Sequence, residues 1–243
     1  MKSQTRRRLN DLVETYTRTT SVMEHGAAKA IKEEGRAYGG VIRAAKGQLQ
    51  EFITDELVQI AWNIELNKDP KRLTINSEKI PIPIKLEYVE KIRDASIRDY
   101  ILSNMKRYYY GLSVDKHIFI DKNFVIGIEC KAYAELAMFK RILVDFRLLK
   151  TVHPNLFCYL FRLENMLGGD YSKEIQLPKG SCSAHTVMSY FSDVDLKIIT
   201  LLSGERKVKQ PIHKPEFFKA LTVDRLEVAI EAILDGFRKC KVA

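Results

Sequence analysis

The sequence predicts an α/β fold: a mixed central sheet of about five strands flanked by helices, with a helical N-terminal part. Three observations carry this expectation. The stretch Ser113–Lys131 reads as a β-hairpin. A helical stripe (Leu136, Phe139, Ile142, Leu143, Phe146, Leu149) and then a continuous apolar run, Leu156–Phe161, follow it as helix and buried strand. A second strong stripe over residues 41–65 precedes it.

Taken in order, residues 1–36 are polar and helical in part, with Arg6-Arg7-Arg8 as a candidate DNA-contacting arm or a solvated tail. Gly39-Gly40 marks a break. Leu49, Phe52, Ile53, Leu57, Ile60 and Ala61 recur at helical spacing and are expected to face the core. Residues 66–86 read as loop, with Ile80-Pro-Ile-Pro-Ile84 as an edge or extended segment, because paired prolines exclude a central strand. Residues 87–107 return to helical spacing. Lys106-Arg107 and Tyr108-Tyr109-Tyr110 then lead into the hairpin, the tyrosines expected to pack the start of the sheet rather than to stack on bases. After the hairpin and its helix, His153-Pro154 is a stop. Gly168-Gly169-Asp170 reads as a turn and Leu177–Ser183 as a loop. His185–Phe191 is a short helix, Leu196–Leu202 a further strand, and Leu221–Phe237 an amphipathic helix with Leu226, Ala229, Ile230 and Ile233 inward. The whole of 1–243 is expected to be a single domain, with 1–66 its helical part and 108–243 its sheet core.

Within the hairpin, His117–Ile120 and Phe124–Cys130 are rich in Ile, Phe and Val, and Asp121-Lys122-Asn123 has turn character. With those three residues as the loop, Ile120 faces Phe124 and Asp115 lies across from Glu129. Alternation puts Lys131 on the face of Glu129. Opposed Cβ atoms sit about 4.5–5.5 Å apart, so the three side chains form one cluster. The opposite face carries Ile118, Ile120, Phe124, Ile126, Ile128 and Cys130. His117 shares the polar face and reads as a surface residue rather than a ligand. Asp121, at the turn, is excluded as a ligand because about 3.3 Å per residue puts it ~26 Å from Glu129.

Two carboxylates that close can hold a hard divalent cation such as Mg²⁺, which takes oxygen ligands and keeps several waters. A neighbouring lysine can orient an attacking water or balance charge on a phosphate. The bland alternative is a solvated polar face with an Asp115–Lys131 ion pair. An Asp followed across a hairpin by Glu-x-Lys (here Glu129-Cys130-Lys131) resembles the PD-(D/E)xK nuclease superfamily, which includes type II restriction endonucleases. The resemblance spans residues 110–165, and Val114 stands where the family usually has Pro. It implies a restriction-endonuclease-like fold, Asp115 and Glu129 on Mg²⁺, and Lys131 on the attacking water. It further implies an acidic residue on the preceding helix near the metal, for which Glu51 is the match.

Composition agrees. The 40 basic against 31 acidic residues give a net charge of +9, which favours nucleic acid or an anionic surface as partner. The basic stretch 204–214, with Arg206, Lys207, Lys209, His213 and Lys214, is the best DNA-contact candidate beyond the hairpin, or else a solvated basic loop. The four cysteines include no C-x-x-C pair, which argues against a cysteine zinc site. No run reaches the ~18 apolar residues of a membrane helix, and the N-terminus lacks the apolar stretch of a signal peptide. A cytoplasmic protein with reduced thiols is expected. The expected activity is Mg²⁺-dependent cleavage of double-stranded DNA by a sequence-specific homodimer, since a palindromic target matches a two-fold partner. A structure-specific repair nuclease of the same fold and a non-catalytic DNA-binding protein are the alternatives.

Overall fold

The computed structural model describes residues 1–30, 37–166, 181–204, 206–207, 209–210, 212 and 214–240. The predicted Gly168–Asp170 turn, most of the 177–183 loop and His213 lie outside them.

In chain order the elements are α1 (Ser3–Ala30), α2 (Ala37–Gln59), β1 (Leu73–Asn76), β2 (Ile80–Pro83), α3 (Leu86–Val89), α4 (Ala95–Ser103), β3 (Tyr109–Leu112), β4 (Lys116–Ile120), β5 (Asn123–Ala134), α5 (Leu136–Val152), β6 (Phe157–Asn165), α6 (Cys182–Ser189), β7 (Lys197–Thr200) and α7 (Val223–Lys239). The predicted mixed sheet is present: five strands in the order β1-β4-β5-β6-β7. The β1–β4 and β4–β5 pairs are antiparallel, and the β5–β6 and β6–β7 pairs are parallel. The β5–α5–β6 crossover is what makes the parallel half possible. The strands β2 and β3 form a separate antiparallel ribbon.

Both sheet faces are covered. One packs against α1, α2 and α7 through Leu9, Ile53, Leu57, Trp62, Ile118, Ile126, Ile128, Ile230 and Phe237. The other packs against α5, α6 and the ribbon through Leu112, Phe124, Phe139, Phe146, Leu160 and Ala184. Each fully buried Leu, Ile or Phe among these contributes about 1.5–3 kcal/mol of transfer free energy. The stripes of α5 and α7 are buried at the positions their spacing predicts. The α5 helix stops at His153, before Pro154, which has no N–H to continue the ladder.

Several expectations need correcting. Asp121 (φ 48°) and Lys122 (φ 69°) both adopt left-handed backbone, so the hairpin turn has two central residues rather than three. Ile120 therefore pairs with Asn123 and Phe119 with Phe124. A β-bulge at Val125 then shifts the register, so Ile118 pairs with Ile126 and Lys116 with Ile128. The bulge sends Phe124 to the α5 side, not the face of Ile118 and Ile126, and gives Val125 its place. His117 is not a surface residue but fully buried. The helix α2 runs through Gly39-Gly40. Phe52 is 45% exposed, not core. Residues 73–76 are an edge strand, not loop. The 87–107 stretch breaks into α3 and α4, the latter opened by Asp94, whose carboxylate accepts from Ser96 N and Ile97 N at 2.9 and 3.1 Å. Tyr109 and Tyr110 point to solvent.

Candidate active site

The site builds on the end of the hairpin away from its turn. Below the bulge the pairing carries Asp115, just outside the ladder, to the level of Glu129. Asp115 is tied to β5 directly: its Oδ2 accepts from the Cys130 backbone N–H at 2.7 Å. Lys131 then bridges both acids, with Nζ 3.0 Å from Asp115 Oδ2 and 2.6 Å from Glu129 Oε1, and it also donates to the Cys130 carbonyl at 3.0 Å. The three predicted residues are thus gathered in one place. Their side chains are 29%, 13% and 30% exposed for Asp115, Glu129 and Lys131, so they are open to a substrate yet partly desolvated.

The electrostatics follow from that position. Burial, and then the charge of Asp115, push the Glu129 carboxyl above its ordinary value, against the pull of Lys131. Burial works against the Lys131 ammonium, but Glu129 and Asp115 outweigh it and hold it above its ordinary value. Two carboxylates share one ammonium, so the ionised cluster carries a net negative charge. That donor set fits a hard divalent cation. Among the described residues no group of three or more His, Cys, Asp or Glu side chains is placed to hold a metal. Asp115 and Glu129 are the two carboxylates here that could supply oxygen ligands to such an ion.

Glu51 does not join this pair. On α2 it lies 3.4 Å from Lys116 Nζ, which also binds Asp55 at 2.8 Å. Lys116 follows Asp115 in the chain and, by alternation, reaches the α2 side of the sheet. Cys130 Sγ lies 3.5 Å from Thr54 Oγ1, a further tie between that helix and the site strand. Strand alternation was the signal for the side of the sheet that Lys116 takes, though not for its partners on α2. Glu56 turns away to an ion pair with Arg8. Asp121 sits at the far turn, held by Arg72 at 2.6 Å.

Of the basic stretch, Lys207, Lys209 and Lys214 are exposed, and Lys214 lies 3.9 Å from Glu216. Arg206 is half-buried: its backbone N–H donates to Asn165 O at 2.8 Å and its guanidinium lies 4.4 Å from the Tyr133 ring centre. Tyr133 is two residues beyond Lys131 on β5, so the stretch begins at the same end of the sheet as the carboxylates.

A mixed five-stranded sheet flanked by helices, with a helical N-terminal part, is consistent with a restriction-endonuclease-like α/β fold. The chain is 57% identical over 230 residues to the type II restriction enzyme DdeI of Desulfomicrobium norvegicum, covering 95% of this chain and 96% of that one. The chain belongs to the type II restriction enzymes. No family model matches it, and no solved structure does.

Proposed function

We propose that this chain is a Mg²⁺-dependent, sequence-specific endonuclease of double-stranded DNA, acting as a homodimer through one nuclease domain spanning 1–243. The observation that carries the reading is the convergence of Asp115 and Glu129 on Lys131. Asp115 and Glu129 hold the cation, in the manner of the PD-(D/E)xK nucleases. When bound, Mg²⁺ polarises a phosphoryl oxygen and lowers the pKa of a bound water. The protonated Lys131 amine orients the attacking water and stabilises negative charge growing on the phosphate. The Cys130 backbone N–H, donating to Asp115 Oδ2, keeps the acid aimed during the reaction. Arg206, Lys207, Lys209, His213 and Lys214 approach the DNA, and a two-fold dimer presents two such sites to the two strands. Glu51 supports the site from α2, released from Lys116 or acting beside it. Among the described residues no helix is long and apolar enough to cross a membrane.

The test is digestion of plasmid DNA with Mg²⁺, with EDTA, and with Asp115→Asn enzyme. Discrete fragments only in the first reaction are expected. Cutting confined to branched junctions would replace sequence specificity by structure specificity, and retardation without cutting would leave a DNA-binding protein. A mass of twice 28.0 kDa in solution is the expected dimer.

A further inference from the structure

The turn that delivers Asp115 is closed by a side chain rather than by the backbone ladder. The Val114 N–H donates to His117 Nε2 at 3.1 Å, in buried surroundings, three residues along the chain. Asp115 lies inside the loop that this bond closes. We propose that His117 is a positioning residue for Asp115: its Nε2 accepts the Val114 N–H and thereby fixes the backbone from which the carboxylate projects. The inference rests on the reading of Asp115 as a metal ligand.

The plain alternative is that His117 is only a flat ring in a packed layer. It is fully buried, with its ring 4.6 Å from that of Phe124 and 6.4 Å from that of Phe119. Phenylalanine would serve that purpose without any polar atoms. The second ring nitrogen argues against the alternative. A neutral imidazole that accepts at Nε2 carries its proton on Nδ1. His117 Nδ1 is buried and has no hydrogen-bond partner among the described residues. A buried donor without an acceptor is destabilising, so the imidazole is kept despite Nδ1, for the sake of Nε2. The Val114 N–H is satisfied just before the β4 ladder begins. Asp115 is then held from two sides: its backbone by His117, and its carboxylate by Cys130 N–H and Lys131.

The first measurement needs no variant. Nitrogen NMR of histidine-labelled wild-type protein should show His117 neutral, with its proton on Nδ1 and a bare Nε2. A proton on Nε2 would overturn the proposal. The second compares His117→Phe, which keeps a ring but no acceptor, with His117→Gln, whose side-chain oxygen reaches a similar position. Cleavage kcat and KM, Mg²⁺ binding to DNA-free protein by calorimetry, and melting temperature are followed for both. For His117→Phe, kcat is expected to fall at least about tenfold with Mg²⁺ binding weakened, because small misplacements of a reacting group are costly. The KM for DNA should stay near wild type. His117→Gln should recover most of both losses. Wild-type Mg²⁺ binding and kcat in His117→Phe, or no recovery in His117→Gln, overturns the proposal. Asp115→Asn runs alongside. If it is inactive while His117→Phe is normal, only the role of His117 falls; if Asp115→Asn cuts like wild type, the metal-ligand reading falls with it. Should both histidine variants fail to fold, the wild-type tautomer decides.

Discussion

The two ends of the β4–β5 hairpin solve the same problem, a carboxylate beside a cation, in opposite ways. At the turn, Asp121 meets Arg72 through both carboxylate oxygens, one charge for one charge, in the open. The Arg72 hydrogen bonds hold the Asp121 carboxyl below its ordinary value. That end is complete as it stands. At the other end two acids share Lys131 in partly desolvated surroundings, and burial with the neighbouring charge of Asp115 raises the Glu129 carboxyl instead. A satisfied ion pair marks structure. An ammonium outnumbered by carboxylates leaves a net negative charge, which is what the proposed cation would answer.

If that contrast is right, mutations at the two ends must differ sharply. The largest effect is expected for Asp115→Asn, Glu129→Gln and Lys131→Ala, each cutting the cleavage rate by at least about 10²–10³ with folding intact, read by plasmid digestion and circular dichroism. A double variant should be scarcely worse than a single one, because groups that act as one unit are not additive. Next comes salt. DNA affinity should fall at least tenfold between about 50 and 200 mM, because basic side chains release condensed counterions; a flat binding curve would remove DNA as the partner. Glu51→Ala should then lower cleavage more than DNA affinity, whereas Glu56→Ala, on the side facing Arg8, should cut normally. A smaller effect concerns pH. His117 has a folded pKa of about 4, below its ordinary 6.5, so the unfolded chain binds the proton more readily. Its contribution to stability is complete above about 6.5 and is lost as pH falls towards about 4. Melting temperatures across that window should decline less for His117→Gln. The smallest effect is expected for Asp121→Asn, which should cleave at the wild-type rate. If that variant were dead and Asp115→Asn active, the contrast drawn here would be inverted.

The site cluster was legible because two departures from the expected hairpin cancel. The turn is one residue shorter than predicted and the bulge at Val125 is one residue longer, so below Ile118 the predicted pairing holds. Neither departure has a plain sequence signal: Lys122 is an unusual choice for left-handed backbone, and Val125 sits in an unbroken apolar run. The helices α5 and α7 were legible because their stripes face a single core. The strand β1 was not, since an edge strand of four residues, half-buried, shows no clear alternation. The burial of His117 was hidden because α5 covers the face that the hairpin alone suggests is wet. Lys116 could not be read as a partner of Glu51 and Asp55 until α2 was placed on the sheet.

The core beneath the site draws on both the first and the last helix. Leu9, Leu12 and Tyr16 of α1 share one cluster with Leu226, Ile230, Ile233 and Phe237 of α7, and the Tyr16 hydroxyl donates to the Lys219 carbonyl at 3.0 Å. The hairpin that carries the acids rests on this cluster through Ile118, Ile126 and Ile128. A ribosome delivers α1 early, the acids midway and α7 at the close of the described chain. Until α7 emerges, the platform under the acids has one side open. A chain that stops before Val223 carries all three site residues without the side of the platform that α7 supplies.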